Sequence, residues 1–140
     1  MLTFRIATWN INSVRLRVDL VCKLLKNEEI DVLCLQECKS PVEKIPLDVF
    51  SETGFPYLVA RGQKGYNGVA IVFRFPLLEK SAIDFAGLGH ARHISAQLEN
   101  GITIHNFYIP AGGDEPDRQK NKKFDQKLKN LSEMKDYFFK

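Results

Sequence analysis

Residues 31–37 read DVLCLQE, four apolar side chains in an unbroken run that ends abruptly in a carboxamide and a carboxylate. A strand with one wet face alternates apolar and polar residues, so an unbroken run reads as a strand covered on both faces. Upstream, residues 14–27 place Val14, Val18, Val21 and Leu25 along one helical stripe, widened by Leu20 and Leu24, with Arg15, Arg17, Lys23 and Lys26 on the outer face. Before that helix, Phe4, Ile6 and Thr8 alternate with Arg5, Ala7 and Trp9 as in a strand, and the run then breaks into Asn10, Ile11, Asn12 and Ser13. Strand, amphipathic helix and wholly apolar strand make a βαβ unit, and with it an α/β fold.

The pattern continues downstream. Residues 40–54 read as a loop holding a short helix around residues 47–53. YLVAR (57–61) and GVAIVFR (68–74) read as strands across the turn-rich GQKGYNG. HISAQL (93–98) and ITIHNFYI (102–109) form a hairpin across Glu99-Asn100-Gly101, since Asn-Gly is a strong turn dipeptide. The polar PAGGDEPDRQKN (110–121) precedes a last helix in which Phe124, Leu128, Leu131, Met134 and Phe138 share a face. There is no repeat and no low-complexity linker. The expectation is one α/β unit over residues 1–140, about six strands in a single mixed sheet, with helices near both ends and mainly on one face.

Bulk properties bound the partners. The chain has 140 residues, 44% apolar and 26% charged, which suits one folded domain with a real core. Its net charge of +3 permits contact with phosphates without demanding it. Arg5 and Asn10 interrupt any secretory apolar segment, and no run reaches membrane-spanning length. Cys22, Cys34 and Cys38 are odd in number and lack C-x-x-C spacing, which argues for reduced thiols in a cytoplasmic protein and against a zinc site.

Glu37 is the residue with most chemical promise. Ligands gather beyond the carboxyl ends of strands in open α/β sheets, and a lone carboxylate there suits Mg²⁺, which prefers oxygen ligands and keeps several waters. The plainer reading makes Glu37 the start of a solvated loop, with Lys39 as its ion partner. Asn10 ends the first strand at the equivalent place, where an amide can orient a metal-bound carboxylate or contact a phosphate oxygen. Asn12 stands nearby and also suits a turn. Tyr108 and Asn106 share a face at another strand end, where a phenol either donates to a phosphate or caps a core edge. His90 and His93, three apart beside a strand, do not share a face and read as structural. The glycines of KGYNG and AGG match no phosphate loop. Lys120, Lys122, Lys123, Lys127 and Lys129 read as the solvated face of the last helix.

Taken together, IATWNINSVR, DVLCLQECK, GQKGYNGVAIV, AR-x-ISA and NFYIPAGG resemble the exodeoxyribonuclease III and AP endonuclease family, within the endonuclease/exonuclease/phosphatase superfamily. QE alone is common to the superfamily; WNINSVR with GQKGYNGVAI is far more specific. The resemblance implies a sandwich of two sheets flanked by helices, of which this chain would form half, and an active site where the sheet ends meet. It implies Glu37 as ligand of Mg²⁺ (Mn²⁺ in its place), Asn10 as its neighbour at metal and substrate, and Tyr108 facing the scissile phosphate. Asn12 falls where some relatives place an acid. Ala111 and Asp114 fall where relatives often contact phosphate through polar or basic residues.

The implied partner is duplex DNA with abasic sites or damaged 3′ ends. Family members, however, are about twice this length, and their second half carries an Asp-x-Asn, a further acid and an Asp-His pair that this chain lacks. The expectation is therefore a truncated repair nuclease, inactive alone and dependent on a separate C-terminal half. The alternative is a non-catalytic remnant or binding module that self-associates through an exposed sheet face.

Overall fold

The computed structural model describes residues 3–139. Strand β1 (Ile6–Asn10) leads through a 3-10 turn (Arg15–Arg17) and helix α1 (Val18–Asn27) to β2 (Val32–Gln36). The two strands pair in parallel, Ile6 opposite Val32 through Asn10 opposite Gln36, which completes the βαβ unit. A second 3-10 turn (Val42–Lys44) and α2 (Leu47–Glu52) follow, then β3 (Tyr57–Arg61) and β4 (Val69–Phe73). Strands β5 (Leu77–Ser81), β6 (His93–Leu98) and β7 (Thr103–Phe107) precede the last helix, α3 (Lys122–Phe138), which Asn121 caps by accepting the Lys123 N–H at 3.1 Å.

The mixed α/β class holds, but the strands divide between two sheets instead of forming one. The first is mixed, in the order β1-β2-β4-β3; the second is antiparallel, β5-β6-β7. Every residue of β2 and β4 is buried because the two faces of the first sheet serve two different cores. Leu33, Leu35, Ala70 and Val72 pack with Val21 and Leu25 of α1 and Phe50 of α2. Val32, Cys34, Val69, Ile71 and Phe73 pack with Ile94, Ala96 and Leu98 of β6 and Ile104 of β7. The face expected to stand uncovered is thus covered by the second sheet. The cause is β5, whose LLEKS carries no alternating signal, and a hairpin that leaves the first sheet and folds across it.

The outer face of the second sheet meets the end of α3. The Phe138 ring lies 4.9 Å from His105 and 5.9 Å from Phe107, and Tyr137 lies 5.7 Å from Phe85. The apolar stripe read on α3 is covered only in part: Leu131 and Phe138 remain 40% and 43% exposed, while Asn130 is buried.

The stacking is staggered. Strand β7 lies over β2 and β4, and β6 lies over β4 and β3, so β1 projects past the second sheet. Ile6, Thr8 and Asn10 on its inner face are exposed accordingly. The free edges of β1 and β7 therefore lie on one flank. Among the described residues no helix is long and apolar enough to cross a membrane.

Candidate active site

Three strands end together at that flank. Because β1 and β2 run in parallel, Asn10 and Glu37 leave the same end of the sheet on adjacent strands, and the pairing runs on beyond the strands proper. The Ile11 N–H donates to Gln36 O at 3.0 Å, Ser13 N–H to Glu37 O at 2.8 Å and Val14 N–H to Cys38 O at 3.1 Å. From the second sheet, Tyr108 follows β7 directly, and its N–H donates to Arg92 O at 2.8 Å. The structure brings Asn10, Glu37 and Tyr108 to one rim.

Tyr108 and Glu37 interact. Burial raises the Tyr108 phenol above its ordinary pKa; hydrogen bonding to Glu37 and that residue's charge add to the shift, and Arg92 opposes it. The Arg92 guanidinium lies 4.8 Å over the Tyr108 ring and donates through Nη1 to Tyr108 O at 3.3 Å. It is the site residue that sequence reasoning missed. AR-x-ISA contains it, but a charge just before a strand looks the same whether it faces solvent or a ring from another strand.

Lys39 is not paired with Glu37 among the described residues; its Nζ donates to Asn12 Oδ1 at 2.6 Å. Arg17 donates to Asn12 O, and Arg15 Nη2 to Lys39 O at 3.3 Å. Asn12 is therefore a hinge of the basic turn beside the site. Ala111 and Asp114 are exposed in the loop after β7.

The backbone is strained here. The described non-glycine residues with positive φ are Asn12 (46°), Ser13 (82°), Glu37 (53°), Lys39 (52°) and Asn67 (53°), and all belong to the loops around Glu37. Such conformations cost of order 1–3 kcal/mol each and persist where surrounding structure enforces them, commonly at functional sites. The enforcing contacts come from the GQKGYNG loop: Cys38 N–H donates to Gly68 O at 3.0 Å and Lys39 N–H to Asn67 O at 2.9 Å. A Cβ on Gly68, whose φ is +92°, would lie 3.3 Å from both Cys38 Cβ and Lys39 N. That close approach explains a glycine between an exposed turn and a buried strand.

The other candidates are structural. His93 is fully buried; its Nδ1 accepts the Ile83 N–H at 3.0 Å and its Nε2 lies 3.0 Å from His105 Nδ1. Burial, with His105 and Arg61 adding, lowers its pKa to about 4. Among the exposed lysines, Lys129 pairs with Asp125 at 3.1 Å on the solvated side of α3.

A metal here would rely on oxygen. Among the described residues no three His, Cys, Asp or Glu side chains cluster, and Glu37 brings a carboxylate to the rim where the adjacent strand ends in the Asn10 amide. That donor set fits Mg²⁺, which is commonly held by one or two carboxylates and retained waters.

Comparisons with known proteins place the fold. Residues 7–136 match the endonuclease/exonuclease/phosphatase family model. Exodeoxyribonuclease III of Haemophilus influenzae is 28% identical over 142 residues, covering 93% of this chain and 49% of that protein. Recombination repair protein 1 of Drosophila melanogaster is 32% identical over 94% of this chain and 20% of its own length. Among solved structures, an AP endonuclease from Archaeoglobus fulgidus superposes with a TM-score of 0.86 at 34% identity, over 96% of this chain and 51% of that one. A 3′ phosphatase from Neisseria bound to a product DNA hairpin gives 0.83 at 31%, again over 96% and 51%. The chain thus spans about half the length of the exodeoxyribonuclease it matches, or less in the longer relative. Matched by that family model over residues 7–136, the chain belongs to the endonuclease/exonuclease/phosphatase family.

Proposed function

We propose that this chain carries one side of the active site of a Mg²⁺-dependent DNA phosphodiesterase of the exodeoxyribonuclease III and AP endonuclease kind. In this reading it is the N-terminal half of the catalytic domain. The observation that carries the proposal is the convergence of Asn10, Glu37 and Tyr108 from two sheets, with Arg92 under the tyrosine ring. Duplex DNA with abasic sites or damaged 3′ ends is the proposed substrate, and Arg15, Arg17 and Lys39 beside the rim suit its phosphates.

Glu37 would hold Mg²⁺ with Asn10 beside it. When bound, the ion supplies charge neutralisation at a phosphoryl oxygen and a more acidic water. Tyr108 remains a phenol at neutral pH, since its pKa is raised from an already high value, so its hydroxyl is a donor that can meet a phosphate oxygen. Arg92 fixes the ring and adds positive charge beneath it. The Asp-x-Asn, the further acid and the Asp-His pair that the resemblance places in the second half of family members are not in this sequence, so this chain alone is proposed to be inactive.

An electron paramagnetic resonance titration with Mn²⁺ tests the metal assignment. Saturable binding that disappears in Glu37→Gln is expected; identical binding by both proteins would remove Glu37 from the role.

A second reading has its own observation. The edges of β1 and β7 carry neither charged residue nor proline within IATWN and TIHNF. The far edges are guarded: β5 has a register shift between Leu77 and Glu79 and carries Lys80, and β3 follows Pro56 and ends at Arg61. Bare edges invite strand pairing. Self-association, or docking of a separate C-terminal half, is proposed at this flank in place of the sheet face expected from sequence.

A further inference from the structure

We infer that Asn106 is the positioning residue of the candidate site, setting Tyr108 against Glu37 and Asn10 by locking the two sheets in register. The layer between the sheets is mainly apolar, with Val32, Cys34, Ile71 and Phe73 facing Ile94, Ala96 and Ile104. Apolar layers alone resist sliding weakly, because dispersion and burial are not directional. Into this layer β7 sends one carboxamide, 2% exposed. Its Nδ2 donates to Leu35 O at 2.9 Å and to Ala70 O at 2.8 Å, on the two neighbouring strands β2 and β4. Its Oδ1 accepts from Gln36 Nε2 at 2.8 Å, and the same Gln36 Nε2 donates to Thr8 Oγ1 on β1 at 2.9 Å.

Both donor protons and the acceptor of Asn106 are therefore engaged, and a sheet shifted by one residue would leave them buried and unpaired. A satisfied buried network of this kind specifies one arrangement. Its place in the chain gives it a consequence at the site. Thr8 precedes Asn10 by two residues and Asn106 precedes Tyr108 by two, so each pair shares a strand face. Gln36 directly precedes Glu37. The network is the floor on which all three rim residues stand. Nothing in the sequence signals it, because Thr8, Gln36, Asn106 and the Ala70 carbonyl come from four strands.

The inference rests on the proposed site, and the contacts of the Tyr108 ring separate the two. Nuclear Overhauser contacts between the Tyr108 ring and the Glu37 side chain are recorded on the full chain at neutral pH. The native protein is expected to show them. Asn106→Leu, matched in size, is expected to lose them while the contacts within each sheet persist. Gln36→Met serves if Asn106→Leu does not fold, and it too is expected to weaken them. Native Tyr108–Glu37 contacts in a folded Asn106→Leu, or failing that a folded Gln36→Met, would make the network merely structural and overturn the inference. Their absence from the native protein would remove the shared rim itself, and the inference with it.

Discussion

Glu37 is held by its backbone as much as by its side-chain neighbours. Its φ of 53° follows a wholly buried strand, and the loop that enforces this conformation presses Gly68 onto Cys38 and Lys39. Gly68→Ala should therefore cost about 1–3 kcal/mol, through the positive φ and the 3.3 Å contacts together. Urea unfolding checks this: a midpoint equal to that of the native chain would show that the loop yields freely. At this scale the sequence was informative wherever a polar residue closed an apolar run, as Asn10, Glu37 and Tyr108 do. It was silent on Arg92, and it placed Asn106 beside Tyr108 without revealing its role, because the meaning of both lies in what crosses from another strand. The plainer alternative for Glu37 made Lys39 its ion partner, whereas the turn geometry delivers Lys39 to Asn12.

Elements read from periodicity are mostly where the pattern put them: β1, α1, β2, the short α2, β3, β4 and the hairpin all appear. β5 was missed because Leu77-Leu78-Glu79-Lys80-Ser81 lacks alternation and its pairing is irregular. Over the second sheet, the end of α3 rests on His105 and Phe107, with His93 buried beside them. This packing gives a pH dependence of definite sign. His93 titrates at about 4 in the folded chain and near 6.5 when unfolded, so the unfolded chain binds the extra proton between those values. Stability should fall as pH drops from about 6.5 to 4, by roughly 2–3 kcal/mol from this group. His105, also lowered by burial, acts in the same sense. Urea midpoints measured across that range should decline, and decline less in His93→Phe. A flat native profile would contradict the buried neutral pair.

The molecule as a whole is a sandwich finished on one flank and open on the other. Sequence patterning could not reveal this, because each strand's face assignment is local, whereas the division into two sheets depends on where the chain crosses between them. Sedimentation of the purified chain should show concentration-dependent association through the β1 and β7 edges, weakened in Ile6→Lys, which sets a charge on the exposed β1 rim. A monomer at all concentrations would mean that the flank is covered by other means. The central claim is that this flank carries one side of a metal-dependent phosphodiesterase site. Its most direct test is Mg²⁺-dependent cleavage of an abasic-site duplex by the chain alone and by the chain mixed with the half of the Archaeoglobus relative that it does not span. Background cleavage by the chain alone and a gain on mixing that Glu37→Gln abolishes are expected. Robust cleavage by the chain alone, or no gain on mixing, would contradict the claim.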